Sequence, residues 1–177
     1  MSSATITIPT AMLLAMQEHL FPGDSNMEEG GFLLCKPCAQ ELPYSLVVEE
    51  WLPLMRDDYV TQASDYLELS DAARARIIKL AHERNAILLE VHCHPSKQPA
   101  CFSPADILGL VEFVPHIRWR LRGKPYAALV VGHNSIDGLA WFGDSKTAIP
   151  IGHIYSGSQI QKTTLLSSKF YGDLRYG

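Results

Sequence analysis

Long apolar runs are missing from this 177-residue chain: none approaches the roughly 20 residues a membrane-spanning helix needs. The N-terminus reads MSSATITIP, without a basic segment followed by an apolar one, so no signal peptide is expected. A surplus of positive charge is also missing. The net charge is −4, which argues against a general nucleic-acid binder. There are no internal repeats and no low-complexity blocks. Charged residues make up 19% and hydrophobic residues 47%, as in an ordinary soluble globular protein. With no leader or spanning run, the cytoplasm is the expected location and no membrane partner is expected. At this length a sizeable core can be buried.

Cysteine is scarce, with four residues at positions 35, 38, 93 and 101. Cys35-Lys-Pro-Cys38 is a C-x-x-C, which fits half a zinc ribbon or a redox pair. A second C-x-x-C is absent, and no helix start follows Cys38. Reduced, inert thiols are the better expectation.

What the chain does have is the run EVHCHPSKQPACFSPAD, from Glu90 to Asp106. An apolar stretch, AILLEV, leads into it and reads as a strand. Side chains alternate along a strand, so His92 and His94 point to one face and Cys93 to the other. The two histidine Cα atoms would be about 6.6 Å apart, close enough to share an ion. A loop rich in turn residues follows, then Ser103-Pro104-Ala105-Asp106. Serine at the N-cap, proline at the first helical position and a carboxylate at N3 announce a helix start. Taken singly, a Ser-x-x-Asp is most often a capping box and two histidines on a strand are most often packing residues. Together they make a three-ligand zinc site of His92, His94 and Asp106 with an open position, the pattern of a catalytic ion.

Elsewhere the spacing predicts a strand over 4–8, a helix over 10–19, strands over 31–35 and 44–54, and a connection over 37–43. Residues 57–66 read as polar and irregular, a candidate edge of a substrate groove. Ser70 caps a helix to about 85, and a further helix runs over 104–114. Strands over 125–132 and 136–141 meet at His133-Asn134-Ser135. From 146 onward the periodicity is weak, and a strand or two with a partly ordered tail is expected. The domain division is 1–145 for the catalytic unit and 146–177 for a C-terminal strand and tail on the same domain. His19, His82, His116, His133 and His153 are expected outside the site, and Trp51, Trp119 and Trp141 in packing roles. The fold class is α/β, a mixed, curved sheet packed against helices.

H-x-H-P, a loop and S-x-x-D resemble the signature of the JAMM (MPN-plus, JAB) metalloproteases. That family adds an upstream E-x-x-G followed by apolar residues, which here is Glu28-Glu29-Gly30-Gly31-Phe32-Leu33-Leu34. Glu28 matches the spacing, and Glu29 is the alternative in a shifted register. Cys93 stands where serine or threonine is usual, Cys35 where glycine is frequent, and no long insertion is evident. The resemblance spans roughly residues 27–141. It implies the layered fold of that family, shared with cytidine deaminases, and Zn2+ on His92, His94 and Asp106. It implies Glu28 as general base and acid, with Ser103 donating to the oxyanion.

The implied activity is a deubiquitinase-like isopeptidase or peptidase that cuts after the C-terminal tail of a ubiquitin-like protein. The compact size is similar to bacterial members, some of which work beside E1-like and E2-like enzymes in antiphage defence. Two other readings stand beside it: a non-catalytic MPN scaffold module, and a zinc amidohydrolase for a small-molecule amide.

Overall fold

The computed structural model describes residues 2–23, 25–38, 42–172 and 174–176. It is a mixed α/β structure with four helices among the described residues. In chain order the elements are β1 (Ala4–Thr7), α1 (Thr10–Leu20), β2 (Gly30–Cys35), β3 (Ser45–Pro53), β4 (Tyr59–Gln62), β5 (Leu67–Leu69) and α2 (Asp71–Glu83). Then follow β6 (Ile87–Cys93), α3 (Pro104–Arg120), β7 (Tyr126–Gly132), β8 (Ser135–Trp141), β9 (Ile149–Ser156), β10 (Gln159–Lys162) and α4 (Leu166–Tyr171).

The main sheet runs β1-β3-β2-β6-β7-β8-β9-β10, and β9 also pairs with β1. That last pairing closes β1, β3, β2, β6, β7, β8 and β9 into a ring, with β10 added outside it. The expected curved sheet is therefore a closed, barrel-like one. β1 is parallel to both β3 and β9, and β6 is parallel to β7, while the other pairings are antiparallel. α3 makes the crossover that a parallel β6–β7 pair requires.

Strand alternation sorts the apolar side chains into two cores. The first takes Ile6, Leu33, Leu46, Leu89, Leu129, Ala140 and Ile151, one from each strand of the ring, so it is the ring's interior. α1 packs into it through Leu13, Met16 and Leu20, spaced for one helical face. The second core lies on the outer face. There Phe32, Leu88, Val130 and Trp141 meet Ile77 and Ala81 of α2 and Leu110, Val114 and Ile117 of α3.

Three expectations change. Residues 57–66 are not irregular: a 3-10 turn at Arg56–Asp58 leads into an antiparallel β4–β5 hairpin. Asp58 anchors it, accepting from the Met55 N–H and from Arg76 of α2 at 2.8 Å. Second, α3 does not stop at 114 but runs to Arg120 through Pro115. A proline inside a helix forfeits one hydrogen bond. The far half is held by buried Ile117 and by Arg118, whose guanidinium donates to the carbonyls of Gly143 and Ser145. As a result Trp119 falls on the outer face, 73% exposed, with Arg120 over its ring. Third, beyond 146 the expected strands are β9, which lies between β8 and β1, and β10, but the expected tail carries a helix, α4. No helix among the described residues is long and apolar enough to cross a membrane.

Candidate metal centre

β6 lies between β2 and β7, with Leu88, Glu90 and His92 facing the helices and Ile87, Leu89, Val91 and Cys93 facing the interior. His94 follows the strand, its N–H still bonded to the Val131 carbonyl. The two imidazoles meet, Nε2 to Nε2, at 3.2 Å. Asp106 comes to them from the first turn of α3. Its Oδ2 lies 3.5 Å from His92 Nε2 and 3.2 Å from His94 Nε2.

The capping box fixes that carboxylate. Ser103 Oγ accepts from the Asp106 N–H at 3.2 Å, and Asp106 Oδ2 accepts from the Ser103 N–H at 2.7 Å. Capping and clustering are thus done by one oxygen. Ser103 Oγ still has its own proton to give.

The three donor atoms form a nearly equilateral triangle. Bonds of about 2.0–2.2 Å to a tetrahedral ion place its donors roughly 3.4 Å apart, which matches these edges. His92, His94 and Asp106 are the one group among the described residues that could hold a metal ion through three or more such side chains. Glu28 completes the surroundings. It precedes β2 and is buried, and its Oε1 stands 3.6 Å from His94 Nε2. Glu29 serves otherwise: its N–H donates to Cys93 Sγ at 3.2 Å and its carbonyl accepts from the Cys93 N–H.

Charges in the cluster oppose burial. Burial alone would raise the Asp106 carboxyl, but hydrogen bonds from His92, His94 and Ser103 hold it well below the usual range. For Glu28 burial wins, and its carboxyl lies above the usual value although both histidines pull it down. Glu90, two residues before His92, is likewise raised by burial although the Tyr126 hydroxyl donates to it at 2.5 Å.

Cys93 takes no place in the triangle. It is fully buried on the other face, where its thiol donates to the Leu20 carbonyl at 3.0 Å. Burial, the largest influence, raises the thiol to about 12. Cys35 is buried too, and none of the four thiols forms a disulfide.

Supports invisible in the motif hold the Glu28 segment. The Glu28 N–H donates to the Ala63 carbonyl at 2.8 Å, and the Gln62 side chain donates to the Glu28 carbonyl at 2.9 Å. Tyr59 Oη accepts from the Gly30 N–H, and His19 Nε2 lies 3.1 Å from the Gly30 carbonyl. A Cβ at Gly31 would collide with the Trp51 ring and lie 2.7 Å from the Leu52 carbonyl, which explains glycine there. Local spacing gives no sign of Gln62 or Tyr59, because their partners lie about thirty residues away.

A groove of about 490 Å3 opens at His92 and Asp106. Its walls are Tyr66 to Leu69 of the hairpin side and Leu108 and Phe113 of α3. A larger hollow of about 750 Å3 between α2 and α3 includes none of the three donor residues.

No protein-family model matches the chain, and comparison with curated proteins finds no match.

Proposed function

We propose that the protein is a zinc-dependent isopeptidase or peptidase that cuts after the C-terminal tail of a ubiquitin-like protein. One observation carries this reading: the buried Glu28 carboxylate stands beside a three-donor triangle that leaves the ion an open position. Two imidazoles and a carboxylate suit Zn2+, and three protein ligands characterise catalytic zinc. The mixed α/β fold and the order of Glu28, His92, His94, Ser103 and Asp106, which resembles the JAMM motif, support the same assignment.

When bound, Zn2+ supplies Lewis acidity, lowering the pKa of a water and polarising the scissile carbonyl. Glu28 would serve as general base and then acid, taking a proton from the attacking water and passing it to the departing amine. Its burial makes it a stronger base than an exposed carboxylate. The Ser103 hydroxyl, whose oxygen already accepts from Asp106, donates its proton toward the developing oxyanion. The groove between hairpin and α3 receives the extended tail, with β5 as the edge beside it.

Incubating the purified protein with a panel of ubiquitin-like fusions, with and without chelator, tests the reading. Metal-dependent release of the C-terminal partner is expected. A metal-loaded protein that binds such tails without cutting them would favour a scaffold module, and one that cuts only small amides would move the substrate class.

A further inference from the structure

The last helix supports the metal triangle from behind. α4 has six residues; its Phe170 is 66% exposed, while the Tyr171 ring packs on the outer core. It also turns hydroxyls inward. Ser167 is completely buried, and its Oγ accepts from the Phe102 N–H at 2.9 Å. Tyr171 donates to the Phe102 carbonyl at 3.0 Å. Both backbone groups of Phe102 are therefore held by α4.

Phe102 touches the triangle twice. Its buried ring packs on the His92 ring, with centroids 5.8 Å apart. Its carbonyl belongs to the same planar peptide unit as the Ser103 N–H. That N–H donates to Asp106 Oδ2, the oxygen facing both histidines. Turning this peptide would move the hydrogen bond that aims the carboxylate.

The support has its own anchor. The Ser167 N–H donates to Asp137 Oδ2 at 2.7 Å, and Asp137 is buried in β8. Nearby, Thr164 donates to the Ala100 carbonyl at 2.7 Å, and its N–H bonds the Ile136 carbonyl. The line from β8 through α4 to Phe102 thus ends at His92 and Asp106.

We infer that Ser167 and Tyr171 are positioning residues for the metal centre, fixing His92 and Asp106 through Phe102. The inference rests on the metal reading given above. Its test is Co2+ titration of the full-length wild type, Ser167→Ala and Tyr171→Phe, following the visible ligand-field bands. Far-ultraviolet circular dichroism checks that each variant is folded.

Wild type should bind one Co2+. Each variant should bind about ten-fold more weakly, as expected for lost outer-shell support, and show displaced bands at saturation. Tyr171→Phe removes one half-buried hydroxyl and carries the test should Ser167→Ala fail to fold. Folded variants with wild-type affinity and bands would overturn the inference alone. Failure of the wild type to bind Co2+ would overturn the metal reading itself.

Discussion

The two faces of β6 present opposite chemistry within seven residues. Toward the interior, Ile87, Leu89, Val91 and Cys93 are all buried and make ordinary core contacts. Toward the helices, Leu88 is followed by Glu90 and His92, with His94 just past the end. The interior face is stabilised by removing apolar surface from water. The other face concentrates polar groups, offsetting their desolvation with hydrogen bonds and with one another. One strand thus separates what holds the fold from what is proposed to do chemistry. Cys93 shows how sharp the division is: it lies between two histidines of the triangle and takes no part in it.

That contrast makes distinct predictions for each face. The largest effect is expected from His94→Ala, which should abolish stoichiometric metal binding while leaving the chain folded, as measured by elemental analysis beside circular dichroism. Glu28→Gln should retain the metal and lower cleavage of a susceptible fusion about 100- to 10,000-fold, the range for a lost general base. On the interior face Leu89→Ala should cost about 2–5 kcal/mol in urea unfolding, with metal stoichiometry of the folded protein unchanged. Metal loss there at full stability would show that the faces are not independent.

A smaller effect concerns Glu90. Burial raises its folded-state pKa, so the fold favours the protonated form. Its favourable contribution is complete below the unfolded carboxyl pKa and is lost as pH rises through the folded value. Glu90→Gln in metal-free protein should therefore lose less stability than wild type between acid and neutral pH. Equal slopes in paired urea titrations would contradict the burial argument. The smallest change expected is Cys93→Ser. It should leave metal content intact and alter stability by about 1 kcal/mol, the scale of one hydrogen bond.

The polar face of β6 and the helix start at Ser103 were legible because both are written in local spacing. Alternation placed His92 and His94 together, and the capping box placed Asp106 on the first turn of α3. Closure of the sheet was not legible. It depends on β1 pairing with β9 across almost the whole chain, and neither strand's spacing names its partner. α3 beyond Pro115 was hidden for a different reason: a proline reads as a stop, and what outweighs it, the burial of Ile117 and the distant carbonyls that receive Arg118, is not written in local spacing. The β4–β5 hairpin was obscured by polar composition, although its side chain Gln62 and carbonyl Ala63 hold the Glu28 backbone. α4 was obscured by its serines and small size. Motif residues declare themselves locally, whereas their supports come from elements far away in the chain.

The proposed chemistry depends on whether the helix-facing side of β6 and Asp106 hold a metal ion together. Anomalous diffraction at the zinc edge, from crystals of protein reconstituted with one equivalent of Zn2+, addresses it directly. One peak is expected about 2.0–2.2 Å from His92 Nε2, His94 Nε2 and Asp106 Oδ2, with Glu28 beside the remaining position. A peak at Cys35 and Cys38, or none near the two histidines, would contradict it.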